Sequence, residues 1–378
     1  MQGGSRRNFI ARQVLSVQVS VPILSPDSRE LDNLVARLVE LAPTLESPTA
    51  WPAEQLKLCG EAGVFEWFAP VELGGQSWSE ADLLRGYVKL ASACLTTTFV
   101  ITQRSGAMQR IGAGESDLAR QQTLPDLIRG HSFATVGISH LTTSRQHLSR
   151  PVLAAEETAD GFILNGYSPW VTGAEFAQHV VVGATLDDGR QVLLCLPMDI
   201  PGVSAGPSAH LLGLSASRTG PVHCDNAVVP RRWLLAGPIV DVMKQGLGAR
   251  TGGLQTSALA IGLAGAAIDF LQTQARERSA LTDPADSLLA ERDALLNAML
   301  RMTDDPTTEN LTNNELRVRA NSLALRASQA ALAAAKGAGY VVGHPAGRWC
   351  REALFFLVWS CPAPVLQANL CELACIQE

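Results

Sequence analysis

Trp170 and Thr172 are the pair whose types and spacing point most directly to chemistry. Side chains two apart on a strand share one face, so an indole and a hydroxyl would point the same way. A flat aromatic surface beside a hydrogen-bonding hydroxyl suits the face of a planar heterocycle. The same pair also fits a tryptophan filling a core beside a strand-forming threonine. Acids are sparse where chemistry would want them: none occurs between Glu352 and Glu372, and none from Val242 to Ile268. The eight cysteines include no Cys-x-x-Cys pair, and Cys371 and Cys375 lack His or carboxylate neighbours at zinc spacing. No metal site is expected. Reduced, mostly buried thiols account for the cysteines, Cys361 included.

The stretch that must position Trp170 and Thr172 is GFILNGYSPWVTGAEFAQHVVVGA, residues Gly161 to Ala184. It reads as a short strand, a turn at Asn165-Gly166, a second strand through Ala174 and a third, apolar strand. Around it, residues 131–236 fall into short runs such as FATVGIS, PVLAAEET, RQVLLCLP and GPVHCDNAVV, separated by Gly, Pro and Asp-Gly signals. Such runs predict a small β-barrel or sandwich. Residues 28–130 are helical in pattern. Leu31, Leu34, Leu38 and Leu41 mark one amphipathic helix, and further helices are expected over 51–63, 79–93, 104–114 and 118–129. Residues 237–378 return to a helical, alanine-rich pattern that predicts an antiparallel four-helix bundle. The fold class is therefore α+β: a helical domain, a central β domain and a helical bundle. The alanine-rich stretches Leu254–Leu271 and Asn321–Ala338 predict an apolar face shared with a second copy, in a homodimer or homotetramer.

The 378 residues are 47% hydrophobic and 17% charged, enough for a substantial core in two or three domains. A net charge of -6 with no Lys/Arg cluster argues against a nucleic-acid partner. No apolar run approaches the ~18 residues of a membrane span. Ser5-Arg6-Arg7-Asn8-Phe9-Ile10 is similar to a twin-arginine export motif, but Arg12, Gln13 and Gln18 interrupt the apolar region that should follow. Residues 1–27 are expected to form a loosely ordered leader on a cytoplasmic protein.

Several segments in order resemble the acyl-CoA dehydrogenase family of flavoproteins, over residues 30 to 377 or so. Glu61-Ala62-Gly63 runs through Pro70 to Gly74-Gly75. Asn165-Gly166 precedes Trp170-Val171-Thr172-Gly173-Ala174. Gly213-Leu214-Ser215-Ala216-Ser217 precedes Val228-Val229-Pro230, and Gly262 opens a small-residue helix. Gly337-Ala338-Gly339-Tyr340 then leads to Arg351-Glu352-Ala353. The resemblance implies FAD, with its ring against Trp170 and Thr172 and over a strand that includes Phe133 and Val136. It implies that hydroxyls such as Thr142 and the cation of Arg278 serve the diphosphate. It implies an acyl-CoA substrate, and an electron-transfer flavoprotein or a flavin reductase as partner. His140 falls near the expected ring edge.

Where the family carries its catalytic Glu, this sequence has Ser360, and at the alternative base position it has Gly252. Asp241 and Glu352 are the remaining candidate acids, Glu352 reading better as a helix anchor paired with an arginine. The expected activity is α,β-dehydrogenation of an acyl thioester without an identified base. Two alternatives share the fold: a two-component flavin monooxygenase using reduced flavin and O2, and a catalytically silent homologue.

Overall fold

The computed structural model describes residues 21–47, 49–142, 151–246, 253–305 and 311–376. Helix α1 (Arg29–Leu41) starts where Ser28 Oγ accepts from Leu31 N, and buries Leu31, Leu34, Leu38 and Leu41 as their spacing dictates. Helix α2 (Ala53–Glu61) ends before Gly63. Val21 to Asp27, placed by sequence in the leader, is tied to this unit. Ile23 is fully buried, its N–H donates to Ala62 O, and its carbonyl accepts from Trp67 Nε1.

Helix α3 (Glu80–Ala93) is followed by α4 (Leu95–Ala113) and α5 (Asp117–Arg129). Sequence periodicity predicts α4 only from residue 104. It begins nine residues earlier, through Leu95-Thr96-Thr97-Thr98-Phe99-Val100-Ile101, a β-branched run of poor intrinsic helix propensity. Almost every residue of this helix is buried, so it shows no polar face to mark its period. Two of its threonines return their hydroxyls to the helix backbone, Thr98 to Cys94 O (2.9 Å) and Thr102 to Phe99 O (2.6 Å).

Among the described residues one mixed sheet of eight strands follows. Strand β1 (Ala134–Gly137) precedes a short helix α6 (Ser139–Thr142), and then come β2 (Leu153–Glu157), β3 (Gly161–Val171), β4 (His179–Thr185) and β5 (Gln191–Pro197). Strands β6 (Val203–Ala205), β7 (Gly220–Pro230) and β8 (Leu234–Ile239) complete it. The order is β6-β7-β3-β2-β4-β5-β8, with β1 parallel to β4. The turn expected at Asn165-Gly166 is instead a bulge inside the continuous strand β3, where the pairing with β7 slips. Gly166 sits at φ +117, and a Cβ there would lie 2.2 Å from Val152 O. Asn165 Oδ1 accepts from Asn226 N across the bulge. An Asn-Gly pair therefore bends the strand without reversing it.

Helices α7 (Gln255–Ala275), α8 (Thr282–Asp304) and α9 (Asn313–Gly339) form the long part of the bundle; α10 (Pro345–Ala353) and α11 (Ala363–Leu373) are short. By length and composition α7 could cross a membrane, which amends the expectation that no apolar run is long enough. Most of it is buried inside the protein: α3 packs directly on it at Gly262, where a Cβ would lie 2.5 Å from Val88 O and 2.8 Å from Ala91 Cβ. The apolar face expected at Leu254–Leu271 and Asn321–Ala338 is likewise consumed by the chain's own packing. Within the bundle, exposed apolar side chains lie later, among them Tyr340, Val341, Val342, Val358, Leu366, Leu370 and Leu373.

Because Gly262 faces a backbone carbonyl, an added methyl must push two helices apart. Gly262→Ala should cost about 1–3 kcal/mol, read as a lower denaturant midpoint. An unchanged midpoint would mean that α3 and α7 do not approach as described.

Candidate active site

A cavity of about 740 Å³ lies between the sheet, α4 and the turn that follows α10. Helix α4 gives it one stripe, Phe99, Thr102, Gln103, Gly106 and Arg110, at the three- and four-residue spacing of a single face. The sheet side contributes Val136, Ile138, Ser139, Thr142, Trp170, Thr172 and Thr219, and the turn contributes Leu354, Phe355 and Leu357 to Ser360.

The sheet wall is fixed from behind. Gly173, at φ +63, turns the chain out of β3, and its N–H donates to Ser217 O and Arg218 O. Trp51 and Phe133 press on it so closely that a Cβ would lie 2.5 and 2.8 Å from their rings. Trp170 is left 48% exposed on the cavity wall, whereas Thr172 is 2% exposed. The Thr172 hydroxyl bonds Thr219 Oγ1 (3.1 Å), which bonds Ser217 Oγ (2.9 Å). Ser139 Oγ is buried at the wall without a hydrogen-bond partner, an arrangement that normally costs energy unless a ligand completes it.

The opposite wall is clamped from α9. Arg317 Nη2 donates to Trp359 O (3.0 Å), Asn321 Nδ2 donates to Phe356 O (3.1 Å), and Arg317 Nε donates to Asn321 Oδ1 (2.8 Å). Burial pushes the Arg317 guanidinium down to about 10. Phe355 stacks on Trp359, and Phe99 meets both edge-on at about 5 Å. Ser360 ends the turn in the left-handed region, at φ +45.

Val136, Thr142, Trp170, Thr172 and Ser360, all expected from sequence, therefore meet at one cavity. The other three expected residues do not line it. Phe133 stands behind the wall, edge-on to Trp51 at 5.3 Å. Arg278 Nη2 donates to Gln274 Oε1 (2.6 Å) and Ala334 O (2.7 Å), closing the end of α7 against α9. His140 is buried, with Nε2 2.8 Å from Gly183 O, and its neutral ring packs the sheet. Gly252 lies outside the described residues. Asp241 is paired with Lys244 at the surface. Glu352 is buried away from the lining, near Arg348 (4.0 Å) and Thr96 Oγ1 (3.4 Å), and burial pushes its carboxyl up to about 7. Among the described lining residues there is no Asp or Glu. Sequence reasoning missed Gln103 and Arg110, and gave Arg351 no place at the cavity. The stripe Phe99-Gln103-Gly106-Arg110 was the available signal, hidden because α4 was not expected to start before residue 104.

No family model matches the chain. It is 26% identical over 339 residues to the mitochondrial short-chain specific acyl-CoA dehydrogenase of Mus musculus, covering 84% of this chain and 81% of that protein. Its structure is similar to that of butyryl-CoA dehydrogenase from Megasphaera elsdenii, with a TM-score of 0.77 and 17% identity over 92% of this chain and 97% of the other. It is also similar to a glutaryl-CoA dehydrogenase from Mycobacterium smegmatis in complex with FADH2, with a TM-score of 0.75 and 17% identity over 92% and 95% of the two chains. The fold is that of the acyl-CoA dehydrogenases.

Burial holds the His140 imidazole below its ordinary 6.5, against the opposing hydrogen bond to Gly183, and burial depresses His179 as well. A group whose folded pKa is depressed binds protons better when unfolded, so its stabilising contribution is present above about 6.5 and lost on acidification. The thermal midpoint should fall as pH drops from about 7 to about 5, and His140→Gln should remove part of that fall. An unaltered pH dependence in the variant would show that His140 is not the buried neutral group described.

Proposed function

We propose that this acyl-CoA dehydrogenase-like chain is an FAD-dependent oxidoreductase that removes two hydrogens from adjacent carbons of an acyl thioester. The observation that carries the proposal is the cavity wall, where an exposed indole (Trp170), a hydroxyl relay (Thr172, Thr219, Ser217) and an orphaned hydroxyl (Ser139) lie together. These residues fit a flavin: a flat apolar face, and hydroxyl groups for the polar edge of the ring system. The volume falls within the roughly 300–1,000 Å³ typical of small-molecule sites.

Bound FAD supplies a hydride acceptor. The chain's own part is to hold and shield. Trp170 would give the ring a wall, and Ser139 and Thr172 would hydrogen-bond its edge. The Phe99, Phe355 and Trp359 cluster would exclude water from an acyl group, and the Arg317–Asn321 clamp keeps that cluster's turn in place. Among its described lining residues the cavity has no carboxylate to take the α proton, the part general-base catalysis requires. That same lack supports a second reading, a flavin monooxygenase of this fold working with reduced flavin and O2. For electron transfer we propose an electron-transfer flavoprotein or a reductase. For assembly we propose a homodimer or homotetramer, supported by the exposed apolar residues of α11 and the segment 340–342.

The absorbance spectrum of the purified protein, followed by anaerobic acyl-CoA titration, tests the proposal. Flavin bleaching by acyl-CoA supports dehydrogenation; fast reoxidation of added reduced flavin with substrate hydroxylation supports the second reading. A colourless protein that takes up no FAD would reject both. Trp170→Ala should weaken FAD retention in dialysis on the order of tenfold, through lost stacking and apolar contact. Ser360→Glu, placing a carboxylate on the turn at the cavity, should raise the rate of acyl-CoA-dependent bleaching by about 10²–10⁴-fold. Strong bleaching by the unaltered protein, unchanged in this variant, would assign the proton transfer to another group.

A further inference from the structure

We infer that Glu352 is a positioning residue of the cavity: its buried carboxyl bridges α10 to the first turn of α4 and so fixes the start of the turn that forms one wall. This rests on the reading of the cavity as a flavin site. Glu352 is 4% exposed and stands between Arg351 and Leu354, both part of the lining. Thr96 Oγ1 donates to its Oε1 (3.4 Å) from a helix start 256 residues away in sequence. Three residues further along each element, Phe99 meets Phe355 edge-on at 4.9 Å. Thr96–Glu352 and Phe99–Phe355 are therefore successive rungs, one polar and one aromatic, between the same two elements. The Arg317–Asn321 clamp acts later in the turn, on Phe356 and Trp359. Gly213 closes on the start from the β region, where a Cβ would lie 2.8 Å from Arg351 O and 3.2 Å from Glu352 N. The first turn of α4 needs such a partner, since its N-cap, Cys94, makes no side-chain cap bond and it carries no acid of its own.

The bridge is sensitive to charge. Around the carboxyl stand Arg348 and Arg351 on α10, Glu46 at the end of the short helix Ala42–Glu46, and the Cys94 thiol. Arg351 is taken by Glu46, and Arg348 Nε is 4.0 Å from Glu352 Oε2, longer than a hydrogen bond. A neutral carboxyl is served by Thr96. An ionised one is poorly solvated and has Glu46 as a like charge nearby. Burial accordingly pushes Glu352 up to about 7 from its ordinary 4.5. A turn that swings away and lets water reach the carboxyl restores the ordinary value. The closed turn, which holds the proton more tightly, is therefore favoured most below about 4.5, and the advantage is lost as pH rises through about 7. This sign is opposite to that of the buried histidines, whose contribution is lost on acidification.

The test is FAD binding to the full chain by fluorescence quenching, together with amide hydrogen exchange over residues 354–360, between pH about 5 and about 8. FAD should bind about tenfold more tightly at the lower pH, where exchange in the turn should also be slower relative to intrinsic rates. Glu352→Gln, a neutral isostere, should keep tight binding and slow exchange across the range. Glu352→Ala, which removes the bridge, should bind weakly and exchange fast at both ends. A pH dependence that persists in Glu352→Gln overturns the inference, as does a parent whose binding and exchange are flat with pH. If one variant does not fold, the parent and the other decide. If the chain takes up no FAD at any pH, the flavin reading falls and amide exchange decides alone. Protection that falls with rising pH in the parent but not in Glu352→Gln then keeps Glu352 as the residue that positions the turn, and equal behaviour removes it.

Discussion

A helix buried along almost its whole length must satisfy most of the polar groups it carries, and α4 is such a helix. Its first half packs in the helical core with Phe99 and Ile101, and its second half packs in the sheet core with Ala107, Met108 and Ile111. Arg104, midway, is fully enclosed. It donates to Leu127 O and Ser132 O, and its guanidinium lies 3.7 Å over the Phe65 ring. Desolvation pushes it down to about 9, yet these acceptors and the ring face keep the cation tolerable there. Ser105 is met by Tyr87 Oη from α3. Because α4 bonds the ends of α5 and the start of the β region, it sets how the sheet and the bundle face each other, and so the width of the cavity.

The two remaining walls are held by different means. On the sheet side, tight packing does it: Trp51 and Phe133 occupy the space a side chain would need at Gly173, forcing the strand to turn and leaving Trp170 at the cavity. On the bundle side, buried hydrogen bonds do it, with Arg317 and Asn321 gripping the carbonyls of Phe356 and Trp359. Removing one partner of such a clamp strands a buried carbonyl, which typically costs ~1–3 kcal/mol. A cavity wall made of a short irregular turn is thereby as well fixed as one made of sheet.

Charge gives this site its individual character. Among the described residues the lining holds arginines and no acid, and the buried Glu352 is engaged with Thr96 and Arg348 away from the cavity. The arrangement favours binding electron-rich groups over abstracting protons. The wall that carries Trp170 and Thr172 presents the flat aromatic face and hydroxyl groups that would suit a flavin.

The order of helical, β and helical segments, the amphipathic α1 and the Trp170/Thr172 pair were legible in the sequence because each rests on local periodicity or on residues close together in the chain. The lack of any Asp or Glu from Val242 to Ile268 and between Glu352 and Glu372 was legible too, since a missing residue type over long stretches survives any error of register. What only the tertiary structure decided depends on distant partners. Phe133, His140 and Arg278 have the right types in the right segments, but each is claimed by a neighbour far along the chain: Trp51, the Gly183 carbonyl and the Ala334 carbonyl. The start of α4 was hidden because full burial erases the polar face that marks a helix, and with it went the stripe ending at Arg110. Asn165-Gly166 signalled a reversal, but the pairing of β3 with both β2 and β7 leaves room only for a bulge. Local sequence proposes which conformations are cheap, and long-range packing selects among them.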